Sequence, residues 1–219
     1  LFLADEINRT SPKTQSALLE VMEEGCVTVD GESHPVPAPF IVMATQNPKG
    51  SAGTQLLPDS QLDRFMINMH MGYPDMSDEI EIAKGRSQRV RPRDIQQVLT
   101  AAELQTLQGM VEQVFIHDNI YKYIVRLMEA TRQNSYVELG VSPRGTIACT
   151  RMARARAFIQ GRSYVIPEDV ASVFPDVAGH RIRLGARARV ARVTAEAVLE
   201  QILHQEKQPV SYMKNQGEL

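Results

Sequence analysis

Two adjacent carboxylates near the start of the chain have the types and spacing best suited to chemistry. Asp5 and Glu6 follow the apolar run Leu1–Ala4 directly. A short apolar run predicts a buried strand, which would place both acids at the rim of a sheet. Carboxylates at such a rim can hold a magnesium ion and a water molecule. Taken alone, however, the six residues favour an ordinary strand that ends in a polar turn.

A second apolar run, Phe40–Thr45, ends in Gln46 and Asn47 before a proline. If this run is a strand parallel to the first, the Asn47 amide meets the two carboxylates at one edge of the sheet, where it could orient a water. An Asn-Pro pair after a strand is also a common turn signal, so that interpretation stays open.

Two arginines have placements that suit a phosphate ligand. Arg64 stands between Asp63, which could pin it, and Phe65, which could pack inward and present the guanidinium at a subunit edge. Arg144 is the second residue of a predicted helix capped by Ser142, where the helix dipole disfavours cations and favours anions. Each also has a plainer interpretation, a solvated arginine or a surface salt bridge.

The elements that position these residues change in kind near residue 75. Before it, Ser11–Pro12 and Gly25 mark the ends of a helix, and Asp30–Gly31 predicts a hairpin turn. Met66–Met71 alternates as a third strand would. With the two apolar runs, these elements predict an α/β core over residues 1–75.

From Ser77 onward no strand is predicted, and helical periodicity takes over. Thr100–Glu103 is a capping-box pattern, and further helix starts follow it. We therefore expect an all-α domain over residues 76–205 and a polar tail over residues 206–219. In the helix that begins after Ser142, the predicted inward stripe is Ala148, Met152, Ala155 and Ile159.

The composition is that of an ordinary soluble protein: of 219 residues, 43% are hydrophobic and 23% charged, with a net charge of -2. No apolar run reaches the roughly 20 residues that a membrane helix needs, and no signal peptide is visible. Cys26 and Cys149 lack partners at metal-ligand spacing, which favours a reduced, cytoplasmic protein without structural zinc. The histidines are assigned no chemistry. The methionines are expected to fill the core, among them Met66, Met69, Met71 and Met76.

Together, five motifs resemble those of the MoxR family of AAA+ ATPases. Each is common by itself, but their order and spacing, from residue 1 to about residue 205, are specific. They are Leu1–Arg9, Pro12–Glu20, Ala44–Pro48, Gln61–Phe65 and Gly140–Arg144. The resemblance implies a partial AAA+ core of parallel sheet and helices, followed by a helical lid from about residue 76.

The resemblance also implies roles for the candidate residues, with ATP and Mg²⁺ as cofactors. Asp5 and Glu6 would be the Walker B pair: Asp5 would hold Mg²⁺ through a water, and Glu6 would polarise the attacking water. Asn47 would be sensor 1, which helps to align that water. Arg64 would be the arginine finger, acting on the nucleotide of the adjacent subunit. Arg144 would be sensor 2, reaching from the lid to the γ-phosphate.

The partners implied are further copies of the chain and a client protein. Six subunits are expected in the ring, whose ATP hydrolysis would drive chaperone-like remodelling of the client or insertion of a metal or cofactor. Family members often work with a partner that carries a von Willebrand factor A domain. The segment Cys26–Val36 resembles the hairpin that precedes sensor 1 in this branch of AAA+ proteins.

One family motif is missing from the 219 residues: the phosphate-cradling Walker A loop, Gly-x-x-x-x-Gly-Lys-[Ser/Thr]. The family places this loop before Walker B. The chain is therefore interpreted as the C-terminal portion of an ATPase, expected to bind ATP poorly and to hydrolyse none alone.

Two other functions stay open: a DNA-handling or transcription-regulating AAA+ protein, and a non-hydrolysing scaffold. The first would use the ten arginines from Arg144 to Arg192, a span with three acids. A solvated or subunit-facing role is favoured for the arginines at 151, 154 and 156, so nucleic acid is not an expected partner.

Overall fold

A computed structural model describes residues 1–46, 57–85 and 95–209 of the chain. The first part is a small α/β unit. Its elements are β1 (Phe2–Ala4), a 3-10 turn (Ile7–Arg9), α1 (Pro12–Glu24), β2 (Cys26–Val29), β3 (Glu32–Pro35), β4 (Val42–Ala44) and α2 (Asp59–Leu62). Strands β1 and β4 pair in parallel, with Phe2 opposite Val42 and Ala4 opposite Ala44, as the sequence predicts. The prediction that the first strand is buried is wrong, because Phe2 and Leu3 are exposed.

Local chemistry explains the bounds of α1 and of the hairpin that follows it. The Ser11 hydroxyl accepts a hydrogen bond from the Thr14 amide, and Gly25 ends the helix with a φ of 66°. Asp30 and Gly31 both have positive φ, 51° and 84°, and join β2 to β3 as an antiparallel hairpin. Both predicted elements are confirmed.

The second part is mostly helical. Its elements are α3 (Met76–Ala83), α4 (Ala101–Glu112), α5 (Asp118–Gln133), β5 (Val137–Leu139), α6 (Pro143–Ile159), α7 (Pro167–Ala178), β6 (Arg183–Leu184), α8 (Ala186–Ala191) and α9 (Ala195–Gln205). The capping box at Thr100 is confirmed at the start of α4. Helices α5, α6, α7 and α9 surround one core in which Ile124, Leu127, Met128 and Phe174 are fully buried. Within the described ranges, no helix is both long and apolar enough to cross a membrane.

The prediction of a third strand at Met66–Met71 is wrong. Residues 66–71, all of which the structure describes, form no strand, and the Asn68 amide donates to the Asp176 carbonyl of α7 instead. Of the alternating residues Ile67, Met69 and Met71, only Ile67 packs against the helical core, whereas Met69 is 67% and Met71 99% exposed. Met66, Met69 and Met76 are exposed too, so their prediction as core residues is also wrong.

Two predictions for the helical part need correction. A strand pair does occur after Ser77: β5 and β6 pair antiparallel, but at two to three residues each they are too short to show a sequence period. In α6, the inward stripe includes Ala148, but Ile159 is 76% exposed. The buried face of α6 instead carries Gly145, Ala148, Cys149, Ala153 and Ala157. These side chains are small, so the hydrophobic period that the stripe relied on is weak there.

Candidate active site

The two acids lie at the carboxyl end of β1. Thr45, the residue that follows β4, holds them in place. The Thr45 hydroxyl donates to Asp5 Oδ1 at 2.5 Å and accepts from the Glu6 amide at 2.8 Å. The Thr45 amide also donates to the Ala4 carbonyl at 3.0 Å. The two strand ends are thereby joined through one threonine, a residue to which the sequence analysis gave no role.

Glu6 has a strained backbone. Its φ of 48° and ψ of 51° are left-handed, which costs a residue other than glycine roughly 1 kcal/mol or more. Hydrogen bonds hold this conformation, because the amides of Glu6 and Ile7 donate to the hydroxyl and the carbonyl of Thr45. Such strain is concentrated at functional sites, where it aims a side chain.

Both carboxylates remain accessible to a ligand. Asp5 is exposed, and the Glu6 carboxylate, 3.2 Å from Arg9 Nε, is partly exposed. Oxygen donors at the end of parallel strands suit Mg²⁺, so the residues present fit the ion that the motif implies. Asn47, the predicted sensor 1, lies outside the described residues.

Arg64 and Arg144 meet at a carboxylate that the sequence analysis missed. Arg64 Nη1 lies 2.5 Å from Glu23 Oε2, and Arg144 Nη2 pairs with Glu23 Oε1. Arg64 Nη1 also donates to the Leu19 carbonyl of α1 at 3.4 Å. The structure therefore brings the two predicted phosphate ligands together at the last turn of α1.

Asp63 does not pin Arg64, which corrects the prediction. Its carboxylate accepts from Arg181 Nε at 2.8 Å and from the Ser142 hydroxyl at 2.7 Å, and it lies 4.0 Å from Arg144 Nη1. The reason is that Asp63 faces the helical part, whereas Arg64 faces α1. Nothing local marks Asp63 for this role, because both hydrogen-bond partners are far away in the sequence.

Arg181 joins the two parts of the structure. The side chain is nearly fully buried and donates to the carbonyls of Asp63, Phe65 and Met66, as well as to Val177 of α7. Burial lowers the pKa of Arg181, and the adjacent Asp63 carboxylate opposes that shift. The next residue, His180, has its Nε2 3.2 Å from the Phe65 carbonyl. The helical part therefore fixes the segment that carries Arg64.

The carboxylates and the arginines lie at opposite ends of α1. Near its start, Gln15 Nε2 donates to the Ile7 carbonyl, next to Glu6, at 3.1 Å. Glu23 stands two turns further on: eight residues at 1.5 Å each separate it from Gln15 by about 12 Å. Glu23 and the two arginines that it pairs with therefore lie about two helical turns along α1 from the end of the helix that adjoins the carboxylates.

A separate group of possible metal ligands occurs on the hairpin side of α1. One ligand atom each of Glu20, Glu24 and Cys26 lies within 4.8 Å of the others. Glu20 already accepts a hydrogen bond from Thr28, and exposed acids at a helix end gather in this way without a metal. The two cysteines are free.

Comparison with known proteins finds a matching family model for each of the two parts of the structure. The family model described as "ATPase family associated with various cellular activities (AAA)" matches residues 1–67, and the model of the AAA lid domain matches residues 129–202. YeaC of Bacillus subtilis, an uncharacterized protein, is 45% identical over 96% of this chain and 66% of its own length. Chaperone MoxR1 of Mycobacterium tuberculosis is 41% identical over 92% of this chain and 55% of its own length.

A solved structure agrees with these matches. A crystal structure from Cytophaga hutchinsonii, of a protein described as an ATPase, aligns with a TM-score of 0.85 and 36% identity. The alignment covers 94% of this chain and 66% of that one. The chain thus spans about two thirds of the length of that protein and of YeaC, and 55% of MoxR1.

Proposed function

Because the chain belongs to the MoxR family of AAA+ ATPases, we propose that it forms part of a ring of subunits that hydrolyses ATP between neighbouring copies. The observation that carries the proposal is the separation of carboxylates and arginines along α1. Each subunit offers a water-activating end and an arginine end, and each needs a neighbour for the missing half.

The carboxylate end would handle the water. Asp5 would hold Mg²⁺ through a coordinated water, and Glu6, aimed by its left-handed backbone, would polarise the attacking water. When bound, the ion neutralises charge on the phosphates. Thr45 would keep the two carboxylates in a fixed relation through its hydroxyl. Asn47 stays a prediction as the amide that aligns the water.

The arginine end would stabilise the phosphate of the adjacent subunit. Arg64 and Arg144 share Glu23 and therefore act at the same place, on the neighbour's nucleotide. Guanidinium groups suit this task because their planar fork matches phosphate oxygens. A ring of six subunits would give every nucleotide one carboxylate end and one arginine end.

The client, the von Willebrand factor A partner and the cytoplasmic location remain proposals. A chaperone-like role is supported by the name of MoxR1. In the alternative proposal, ATP hydrolysis drives insertion of a metal or cofactor into the client. The arginine-rich span from Arg144 to Arg192 does not support a nucleic-acid role, because many of its arginines have contacts within the chain. Those with described contacts include Arg144, Arg154, Arg162, Arg181, Arg183 and Arg187.

The proposal predicts a specific pattern in ATP turnover by the full-length gene product. Glu6→Gln should lower kcat by about 100-fold or more, because the attacking water loses its polarising carboxylate. Arg64→Ala should lower it by about 1,000-fold. The exposed Arg189 on α8 offers the control Arg189→Ala, which should leave turnover unchanged.

Mixing the two inactive proteins then tests the shared site. An R64A subunit keeps Glu6 and can receive arginines from an E6Q neighbour, so the mixture should regain turnover. Mixtures that stay inactive would contradict action between subunits. The 219-residue chain alone, which has no Walker A loop, should show no turnover; measurable hydrolysis by it would refute that part.

A further inference from the structure

Glu23 is the shared acceptor of the two arginines at the end of α1. One carboxylate oxygen lies 2.5 Å from Arg64 Nη1, and the other contacts Arg144 Nη2. We infer that Glu23 is a positioning residue for ATP hydrolysis: its carboxylate holds Arg64 and Arg144 side by side, so that both meet one phosphate group of the adjacent subunit. This inference rests on the proposed function, because it deepens the role given there to the two arginines.

The physical need for a carboxylate at this point is electrostatic. Two guanidiniums that converge on one phosphate repel each other before the phosphate arrives. Glu23 offsets one of the two charges and forms an ion pair with each guanidinium. With Arg181 and Asp63 included, three cations face two anions, so one positive charge remains to attract a phosphate.

Glu23 stands on a rigid support. Helix α1 begins beside the turn that follows Glu6 and ends beside the arginines. Its 13 residues therefore set the spacing between the carboxylate end and the arginine end of the subunit. The last two turns of α1 give Arg64 two anchors, the Leu19 carbonyl and the Glu23 carboxylate. Arginines anchored on one helix can be delivered to a neighbour with little loss of orientation.

A role in orientation differs from a role in folding. The side chains of Glu23 and Arg64 are each 30% exposed, and that of Arg144 is 47% exposed. Ion pairs as exposed as these add little to stability. Loss of the Glu23 charge should therefore change the rate of hydrolysis far more than the melting temperature.

The test is Glu23→Gln in the full-length protein. The glutamine amide oxygen can accept from one arginine, but its NH₂ group then faces the other guanidinium, donor against donor. We expect kcat to fall about 10-fold, with a smaller change in KM, because misplaced transition-state contacts reduce kcat. Glu23→Asp keeps the charge on a shorter side chain and should recover part of the rate.

The matched control is Glu24→Gln, the same chemical change one residue further along α1. Glu24 faces Cys26 Sγ, at 4.0 Å, rather than the arginines, so its variant should keep wild-type turnover. Melting temperatures of the E23Q and E24Q proteins should agree. Equal turnover of E23Q and E24Q, or faster turnover of E23Q, would overturn the inference.

Mixed assemblies separate positioning from a general structural effect. An E23Q subunit keeps Glu6, so E6Q neighbours with intact arginines should restore its turnover, as they should for R64A. Failure of that recovery, while R64A with E6Q recovers, would overturn the role of Glu23 alone. Absence of turnover in the wild type, or no loss in E6Q, would instead overturn the proposed function.

Discussion

The two parts of the molecule bury their apolar side chains to very different degrees. In the helical part, Leu127 and Phe174 are 0% exposed and belong to a continuous core. In the two-stranded β1–β4 sheet, neighbouring residues that point to opposite faces are both open, Phe2 at 47% and Leu3 at 63%, and Met43 is exposed as well. Among the residues that the structure describes, the helical part has a core of its own, whereas the sheet is open on both faces.

The sheet, unlike the helical core, depends on further cover for its stability. A parallel sheet is stable when both faces are covered, and two short strands alone are marginal. We therefore expect the sheet that carries Asp5 and Glu6 to gain cover from further strands or helices in the working ATPase. The helical part can meanwhile hold the arginine segment in place through Arg181.

Breaking the join between the two parts should have the largest effect on stability. Arg181→Met removes the buried donor of the Asp63 carboxylate and of four backbone carbonyls. We expect the free energy of unfolding to fall by about 4 kcal/mol, measured by urea denaturation. Arg183→Met is the control, because Arg183 is half-exposed and its ion pair with Asp59 should contribute less than about 1 kcal/mol. An equal loss of unfolding free energy in both variants would show that Arg181 does not hold the two parts together.

The contrast in burial can be measured with two matched truncations. Leu127→Ala should cost about 3 kcal/mol, because it leaves a cavity in the closed helical core. Leu3→Ala should change the stability of this 219-residue chain by less than about 0.5 kcal/mol, since the side chain is mostly exposed already. Similar losses at both positions would mean that the sheet is covered in solution.

Protonation of His180 at acid pH should also destabilise the contact between the two parts, but by a smaller free energy than Arg181→Met. Burial, aided by the charge of Arg181, lowers the pKa of His180 from 6.5 to about 4, so the folded protein holds a neutral imidazole. The unfolded chain binds the proton more readily, so this contribution is fully present above pH 6.5 and is lost as pH falls to about 4. The loss should approach roughly 2 to 3 kcal/mol.

The measurement is the free energy of unfolding between pH 7 and pH 4. His180→Gln keeps a donor for the Phe65 carbonyl and cannot titrate, so this part of the pH dependence should disappear. His34→Gln, on the exposed hairpin, should leave the wild-type curve in place. A His180→Gln curve with the same slope as the wild type would contradict the assignment.

The fold was predictable wherever neighbouring residues carry the signal. The Ser11 cap, the Gly25 stop and the Asp30–Gly31 turn each depend on contacts within a few positions, and the structure has all three. The strand expected at Met66–Met71 failed because alternation shows which side chains could share a face, but not whether a partner strand lies beside them. That segment lies instead against α7.

The candidate site divides in the same way. Local motifs in the sequence were enough to predict the family, the adjacent pair Asp5 and Glu6, and the helix cap that carries Arg144. Two sets of contacts could not be predicted in this way: Arg64 and Arg144 share Glu23, and Asp63 pairs with Arg181. Those ion pairs join residues far apart in the chain, so they depend on how α1, α6 and α7 pack together rather than on spacing.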